Sequence, residues 1–228
     1  MEQFARIERM AGSNWIEQLK TKKVAVFGLG GVGSYVVEAL VRGGVGNLVL
    51  VDHDVIDITN LNRQLYALHS TIGLAKVEVA KKRCLDINPN VIITTYQQFY
   101  LPDQDDGNIF NDCDYVIDAI DTVKAKIGLI EKCNQLNIKI ISSMGTGNKL
   151  APEKFQIADI YKTSVCPLAR VMRHELKKRR IKKCPVLFST EVPQKIEGRT
   201  PGSMSFVPPV AGMMLAGYVM KELVKEEK

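Results

Sequence analysis

Residues 24–34 read Val-Ala-Val-Phe-Gly-Leu-Gly-Gly-Val-Gly-Ser, an apolar run that leads directly into a glycine-rich turn. The next apolar run, residues 48–51, is followed by Asp52. A buried strand, a glycine turn, a helix, a second strand and an acid in this order are the parts of a Rossmann nucleotide pocket. The sequence therefore predicts a nucleotide site here, and the alternative is a tight turn that binds no ligand.

The glycines and the acid have separate expected roles. Backbone N–H groups approach a phosphate closely where no side chain intervenes, and the helix that follows directs its positive dipole end at the same phosphate. Asp52 lies where a ribose hydroxyl needs an acceptor. The predicted phosphate-site glycines are Gly28, Gly30, Gly31 and Gly33.

Strand-like and helix-like segments alternate along the chain. Apolar runs predict strands at 24–27, 48–51, 91–96, 115–119 and 138–142, and helical spacing predicts helices at 34–41, 76–87 and 123–137. A less regular second half follows, with strands at 155–159 and 185–189 and helices at 167–179 and 209–223. This order predicts an α/β fold: a Rossmann-like doubly wound, mostly parallel sheet with an irregular C-terminal extension of the same domain.

Both ends of the chain predict further helices. Residues 3–20 predict an amphipathic helix interrupted at 12–14, with Ser13 or Asn14 capping its second part. Residues 206–220 are almost uncharged, but two prolines and two glycines break the run. A membrane span needs about 20 apolar residues. We therefore expect no transmembrane span and burial in the core or a dimer interface, with peripheral membrane contact as the alternative.

Composition and cysteine usage favour a cytoplasmic globular protein. The chain has 228 residues, of which 46% are hydrophobic and 25% charged, and its start has no signal-peptide pattern. Five scattered cysteines without a Cys-x-x-Cys pair argue against zinc and favour reduced thiols. Cys166 and Cys184 each precede a proline near a basic region, so each is either a reactive thiol or a core residue.

The positive charge is partly concentrated in one stretch. The formal net charge is +6, and a local excess of this kind suits a polyanion such as RNA. The alternative is a solvated helix end, where cations are favoured by the helix dipole. The stretch contains Lys177, Lys178, Arg179, Arg180, Lys182 and Lys183.

Further polar groups are placed to meet the same nucleotide. Ligands of an open α/β sheet bind beyond the carboxyl ends of its strands, and Asp52 and Asp121 both follow predicted strand ends. Arg63 and Lys76 can reach that edge from the connecting segment. Cations oppose a polyphosphate and a carboxylate holds Mg²⁺, which suits a triphosphate better than a dinucleotide. The alternatives are a surface cation for Arg63, a helix-face lysine for Lys76 and a helix N-cap for Asp121.

The chain resembles the MoeB/ThiF/HesA group, relatives of ubiquitin-activating enzymes. The resemblance is carried by the glycine turn 28–34, Asp52, Asn60-Leu-Asn-Arg-Gln64, Lys76 and Asp118-Ala-Ile-Asp121. The resemblance implies a fold that binds ATP and Mg²⁺ and adenylates a carboxylate. It implies a metal-binding role for Asp121. The implied ATP-binding residues are Gly28, Gly30, Gly31, Gly33, Asp52, Asn60, Arg63, Gln64 and Lys76. The implied catalytic residues are Arg6, Arg63, Lys76 and Asp121.

The role of Arg6 depends on a second subunit. In this family an N-terminal arginine often crosses into the partner's site in a homodimer, and Gln3-Phe-Ala-Arg6 resembles that element. The resemblance therefore implies a homodimer, with Arg6 as the first candidate and Arg9 as the second.

The second half resembles one branch of the family, the dehydratases of threonylcarbamoyladenosine in tRNA. The segments that carry this resemblance are 142–149, 159–163, 166–170, 188–191 and 202–206. It implies an ATP-dependent ligase-type enzyme that cyclises the modified base after adenylating its carboxylate, with the basic stretch holding tRNA. We therefore expect one domain over 1–228, with a nucleotide-binding half at 1–145 and a substrate, tRNA and dimer half at 146–228.

Two other functions stay open. One is adenylation of the C-terminal glycine of a ubiquitin-like sulfur-carrier protein, although the zinc-binding cysteine pairs typical of such members are missing. The other is a nucleotide-binding scaffold without turnover, which serves a cysteine desulfurase and sulfur-acceptor system.

Overall fold

The computed structural model describes residues 2–104, 108–198 and 200–224. Within these ranges seven strands form one sheet in the order β3-β2-β1-β4-β5-β7-β6. Neighbouring strands are parallel except β6, which runs antiparallel to β7 at the sheet edge. The strands are β1 (Lys23–Phe27), β2 (Asn47–Val51), β3 (Ile92–Tyr96), β4 (Tyr115–Asp118), β5 (Lys139–Ser143), β6 (Phe155–Asp159) and β7 (Pro185–Ser189).

Helices cover both faces of this sheet. Along β1, Val24 and Val26 belong to one hydrophobic cluster, and Ala25 and Phe27 belong to another. Alternate residues of a strand point to opposite faces, so each face has its own core. The α-helices described are α1 (Ala5–Ala11), α2 (Ser13–Thr21), α3 (Gly33–Gly43), α4 (Lys76–Ile87), α5 (Val123–Gln135), α6 (Pro167–Lys178) and α7 (Val207–Leu223).

The two cores use different helices. Helices α3, α4 and α7 pack on one face, and α5 and α6 pack on the other. The predicted doubly wound, mostly parallel sheet is therefore confirmed, and β7 and β6 extend the same sheet as predicted. The division into two functional halves at about residue 145 stays a prediction.

Helix α7 is a core helix, which agrees with one of the two expectations for the apolar C-terminal segment. Leu215, Ala216 and Val219 are fully buried. A Cβ on Gly212 would lie 2.4 Å from the carbonyl oxygen of Val32, so this glycine allows α7 to approach α3 closely. Of the helices in the described ranges, none has the length and apolarity needed to cross a membrane.

One local prediction is wrong. Neither Ser13 nor Asn14 caps the second N-terminal helix, because both lie inside α2. The break falls at Gly12, which has a positive φ of 84° and donates its N–H to the Glu8 carbonyl. Glycine adopts this conformation without steric cost. The other predicted strands and long helices are present, with bounds that differ by no more than two residues.

Candidate active site

A cavity of about 470 Å³ lies at the carboxyl ends of the central strands. Strand order reverses between β1 and β4, and ligands of open α/β sheets bind at such a switch point. The volume is in the range of small-molecule and cofactor sites. The predicted residues that line this cavity are Gly28, Gly30, Gly31, Asp52, Asn60, Arg63, Gln64, Lys76 and Asp121.

The glycine turn needs its glycines for two reasons. Gly28 has a φ of 85°, and a Cβ there would lie 2.7 Å from the Ala119 carbonyl oxygen. A Cβ on Gly33 would lie 1.7 Å from the Gly28 carbonyl oxygen. Gly33 therefore serves the packing of α3 against the turn. Gly33 is not among the residues that line the cavity, and its predicted place among the ATP-binding residues stays a prediction.

Asp52 is held rigidly at the end of β2. Its Oδ2 accepts a hydrogen bond from the Leu29 N–H at 2.5 Å, and its Oδ1 accepts one from the Asp54 N–H at 2.8 Å. The side chain therefore joins the glycine turn to the next loop, while the residue is 8% exposed on the cavity side. A carboxylate oxygen can accept more than one hydrogen bond, so a ribose hydroxyl still finds an acceptor here.

The segment after β2 places three predicted residues on the cavity wall. Asn60 accepts the Asp57 N–H at 3.2 Å through Oδ1, which fixes a short 3₁₀ turn. Arg63 donates to the Thr59 carbonyl at 2.9 Å and to the Asn62 Oδ1 at 2.8 Å. Its guanidinium is thus oriented before any ligand binds. Gln64 is buried, and its amide lies beside Gly30.

Lys76 is a buried cavity residue. It begins α4 and is 4% exposed, and its Nζ donates to the Asp54 Oδ2 at 2.7 Å. Burial excludes the alternative of an ordinary helix-face lysine. Sequence reasoning missed Asp54, which lines the same cavity and orients the ammonium group. The sequence feature that could have identified Asp54 is its position two residues after Asp52.

A buried ion pair holds the turn that carries Asp121. Asp118 and Lys126 are both fully buried, with Oδ2 and Nζ 2.9 Å apart. Lys126 also donates to the Ile120 carbonyl at 2.9 Å, and Asp118 accepts the Ile120 N–H at 3.0 Å. These contacts fix the turn that presents Asp121 to the cavity. Lys126 was missed because its partner lies in a different element.

The carboxylate of Asp121 is exposed and faces the cavity. Its Oδ1 accepts a hydrogen bond from the Thr122 hydroxyl at 3.3 Å. The N-cap of α5 is Thr122, and no side-chain capping bond is made there. The N-cap alternative for Asp121 is therefore wrong.

Three other segments complete the cavity, and none of them was predicted. Loop residues 98–100 follow β3, residues 146–147 follow β5, and residues 200–203 belong to the long connection before α7. They come from loops that are distant in sequence, so local patterns could not place them around one cavity.

Arg6 and Arg9 do not line the cavity of their own chain. Both are exposed on α1, where the neighbouring Met10 is 93% exposed. The intrachain structure therefore leaves their predicted role across a dimer untested.

The basic stretch 177–183 lies near the amino ends of the strands, whereas the cavity lies at their carboxyl ends. Lys183 and Ile181 line a second depression together with Tyr115 and Lys139, which are the first residues of β4 and β5. β4 has four residues and β5 has five, so the strands separate this depression from the cavity by roughly 13–16 Å.

Some charge in the stretch is already neutralised. Glu175 accepts from Arg179 at 2.7 Å and from Lys178 at 3.2 Å, and these hydrogen bonds lower the pKa of Glu175 to about 2. Within residues 2–104, 108–198 and 200–224, four cations of the stretch make no ion pair: Lys177, Arg180, Lys182 and Lys183. These four exposed cations are therefore the candidates for an external anion.

The thiols are structural. All five cysteines are free and buried, including Cys166 and Cys184. Burial raises the pKa of Cys184 to about 12. A thiol, unlike a thiolate, is a poor nucleophile, so the core alternative holds for Cys184.

The fold and the cavity define a nucleotide-binding protein with cations and carboxylates arranged around a polyphosphate-sized space. The chain belongs to the ThiF family, whose sequence model matches residues 2–228.

Similar proteins share nearly the whole chain. A tRNA threonylcarbamoyladenosine dehydratase of Bacillus subtilis is 44% identical over an alignment of 244 positions, which covers 99% of this chain and 96% of that protein. Crystal structures of the Escherichia coli tRNA N6-threonylcarbamoyladenosine dehydratase TcdA superpose with TM-scores of 0.92 for its AMP complex and 0.91 for its ATP complex. Each is 32% identical and covers 97% of this chain; the chain covers 94% and 93% of them, respectively.

Proposed function

We propose that this protein is an ATP-dependent dehydratase that cyclises threonylcarbamoyladenosine in tRNA. The observation that carries the proposal is one cavity in which a glycine turn, Asp52, Arg63, Lys76 and Asp121 meet. The nearly full-length similarity to dehydratases of this nucleoside supports the substrate.

The reaction has two steps. A threonyl carboxylate oxygen attacks the α-phosphorus of ATP, the bond to the β-phosphate oxygen breaks, and pyrophosphate leaves. The carbamoyl group then attacks the activated carbonyl carbon, AMP leaves with the former carboxylate oxygen, and the carbamoyl group gives up a proton. A carboxylate is a poor acyl donor because oxide is a poor leaving group, and adenylation replaces that leaving group with AMP.

Arg63 and Lys76 reduce the repulsion between the substrate carboxylate and the phosphates of ATP. Two anions must approach each other, and oriented cations stabilise the charge that develops on the α-phosphate. Arg63 is oriented by Thr59 and Asn62, and Lys76 by Asp54, so little reorganisation is needed during reaction.

The remaining predicted residues bind the nucleotide. In the proposal, Asp52 accepts the ribose hydroxyl, Gly30 and Gly31 allow backbone approach to phosphate, and Asn60 and Gln64 supply side-chain amides. All five line the cavity.

Asp121 fits the proposed magnesium site. Its exposed carboxylate faces the cavity from a rigid turn, and carboxylate oxygens are hard ligands suited to Mg²⁺. When bound, the ion neutralises phosphate charge. The turn held by Asp118 and Lys126 keeps the carboxylate in place.

No cysteine is needed for this chemistry. The carbamoyl group and the activated carbonyl belong to the same side chain of the nucleoside, so ring closure is intramolecular and fast when well oriented. The buried thiols agree with such a mechanism.

Release of AMP separates the proposed function from its rivals. The protein is incubated with ATP and Mg²⁺, and with tRNA that carries threonylcarbamoyladenosine, tRNA that lacks it, or a carrier protein ending in Gly-Gly. We expect AMP and pyrophosphate with the modified tRNA only. AMP with the carrier alone would instead indicate a sulfur-carrier activator, and no AMP with any partner would indicate a scaffold that serves a sulfur-transfer system.

We further propose that the protein acts as a homodimer in which Arg6 enters the partner's cavity, with Arg9 as the second candidate. Arg6→Ala and Asp121→Ala should each be inactive, whereas an equal mixture should recover about a quarter of the activity after subunit exchange. Each mixed dimer then has one intact site. No recovery, in a mixture shown to exchange subunits, would contradict a cross-subunit role.

Lys177 and Arg180 are proposed to contact tRNA phosphates away from the reacting base. Because tRNA is long and carries a negative charge at each nucleotide, one molecule can contact both the cavity at the carboxyl ends of the strands and the basic stretch at their amino ends. We expect Lys177→Glu with Arg180→Glu to weaken tRNA binding about tenfold at fixed salt and to leave ATP binding unchanged. Filter binding measures the first effect and calorimetry the second.

A control double variant has the same net charge as Lys177→Glu with Arg180→Glu. Lys81→Glu with Lys82→Glu on α4 makes the same charge change at another place. If both double variants weaken tRNA binding equally, the effect is one of net charge, and the proposed contact is wrong.

A further inference from the structure

Residues 200–203 form one wall of the nucleotide cavity, and we name this segment the cavity strap. It belongs to the long connection between β7 and α7 and contains Thr200, Pro201, Gly202 and Ser203. A wall made from a loop needs anchors, because a loop has no ladder of backbone hydrogen bonds to hold it.

Asn148 is the main anchor. Its Oδ1 accepts the Gly202 N–H at 2.6 Å, and its own N–H donates to the Gly202 carbonyl at 2.8 Å. Its carbonyl accepts the Gln194 N–H at 2.7 Å, which ties down the same connection further upstream. One residue thus makes three hydrogen bonds to a segment about fifty positions away in sequence.

Asn148 adopts an uncommon backbone conformation to do this. Its φ is 58°, in the left-handed region that asparagine, aspartate and glycine tolerate best. The preceding Gly147 lies against the strap, since a Cβ there would be 2.9 Å from the Cβ of Pro201. A second anchor comes from Asn62, whose Nδ2 donates to the Ser203 carbonyl at 2.9 Å.

The Asn148 anchor of the strap lies on the side of the cavity away from Asp52. Asp52, at the end of β2, marks the ribose side, whereas Gly147 follows β5. In the sheet order β2-β1-β4-β5 these strands are separated by about 14 Å. The Asn148 end of the strap is therefore on the β5 side of the glycine turn, and the proposed function puts the reacting carboxylate on this side, away from the ribose.

We propose that Asn148 is a positioning residue that holds the cavity strap closed over the acyl adenylate and thereby excludes water. The inference rests on the proposed function. When water attacks the activated carbonyl carbon, AMP leaves, and the threonyl carboxylate is regenerated with release of a proton. That route consumes ATP without cyclisation, so the strap sets how many AMP molecules form for each cyclic nucleoside.

The test measures AMP and cyclic nucleoside in the same reaction with modified tRNA, ATP and Mg²⁺. Asn148→Gly keeps the positive φ and removes the Oδ1 acceptor. Losing this hydrogen bond should raise the ratio of AMP to cyclic nucleoside about threefold to tenfold. Asn148→Asp keeps both the conformation and the acceptor, so its ratio should stay near that of the wild type. Its added charge should appear as a higher KM for ATP.

Two further variants separate positioning from folding. Asn137→Gly makes the same replacement at another positive φ of 55°, on the exposed turn between α5 and β5, and should leave the ratio unchanged. Asn62→Ala removes the second anchor and also the Oδ1 that accepts from Arg63. It should therefore slow AMP formation and, separately, raise the ratio of AMP to cyclic nucleoside, and this ratio keeps the proposal testable if Asn148→Gly fails to fold. A role in stability alone would lower AMP and cyclic nucleoside together.

The outcomes divide cleanly. Asn148→Gly, or Asn62→Ala in its place, with an unchanged ratio would overturn the inference, as would equal uncoupling by Asn148→Asp. A wild-type protein that releases no AMP with modified tRNA would overturn the proposed function and this inference with it. If the wild-type protein forms about one AMP for each cyclic nucleoside and the variants keep that ratio, the inference alone is overturned.

Discussion

Arg63→Ala should lower AMP formation about 10³-fold, which is the usual cost of removing a group that stabilises charge in a transition state. Arg63 lines the cavity and is held by the Thr59 carbonyl and the Asn62 side chain before ligand binds. Alanine removes the charge and leaves those two acceptors exposed to solvent. The loss should therefore fall mainly on the chemical step.

The measurement is AMP release under single-turnover conditions with modified tRNA. Circular dichroism checks the fold, and Lys82→Ala, an exposed change on α4, is the matched control with near wild-type turnover. Arg63→Lys should recover part of the lost rate, because it restores the charge without the forked geometry. Turnover of Arg63→Ala within tenfold of the wild type would contradict the assigned role.

Lys126→Met should lower the free energy of unfolding by about 3–5 kcal/mol, because it leaves Asp118 as a buried carboxylate without its partner. Both side chains of the pair are fully buried. Lys126 also satisfies the Ile120 carbonyl, so the turn that presents Asp121 should loosen as well. Urea denaturation measures the first effect, and AMP release measures the second.

A nearby lysine supplies the comparison. Lys124, on the same helix, makes an exposed pair with Asp103 at 3.5 Å, so Lys124→Met should cost less than about 1 kcal/mol. Adding Asp118→Asn to Lys126→Met should recover part of the lost stability, because the buried group is then neutral. A loss below about 1 kcal/mol for Lys126→Met would mean that Asp118 does not need this partner.

The strands and helices could be predicted because each carries its own signal. The runs before Gly28 and Asp52 are apolar on both faces of the sheet, as buried parallel strands require. Helix α4 and strands β6 and β7 have the predicted bounds. Such patterns are local, so they need no knowledge of the tertiary structure.

Most of the cavity was also predictable, because the carboxyl ends of parallel strands meet at one edge. This rule placed Asp52 and Asp121 together, and the cavity contains both. It gave no information on Asp54 or Lys126, whose partners come from other elements. It also did not reveal that Gly33 serves packing.

Two features required the folded chain. The position of the basic stretch depends on the direction of β7, and the strand pairing shows that β7 runs parallel to β5, so Lys183, just before its amino end, lies away from the cavity. The cavity strap depends on hydrogen bonds between Asn148 and Gly202. Both residues lie in segments that carry the family resemblance, but the sequence does not show that they pair with each other.

Transfer of an oxygen isotope tests the central claim most directly. The threonyl carboxylate of the modified tRNA is labelled with ¹⁸O, the protein converts it with ATP and Mg²⁺ in unlabelled water, and the AMP is weighed by mass spectrometry. Attack of the carboxylate on the α-phosphate predicts one ¹⁸O atom in each AMP. AMP that carries no label, formed together with the cyclic nucleoside, would contradict adenylation of the carboxylate.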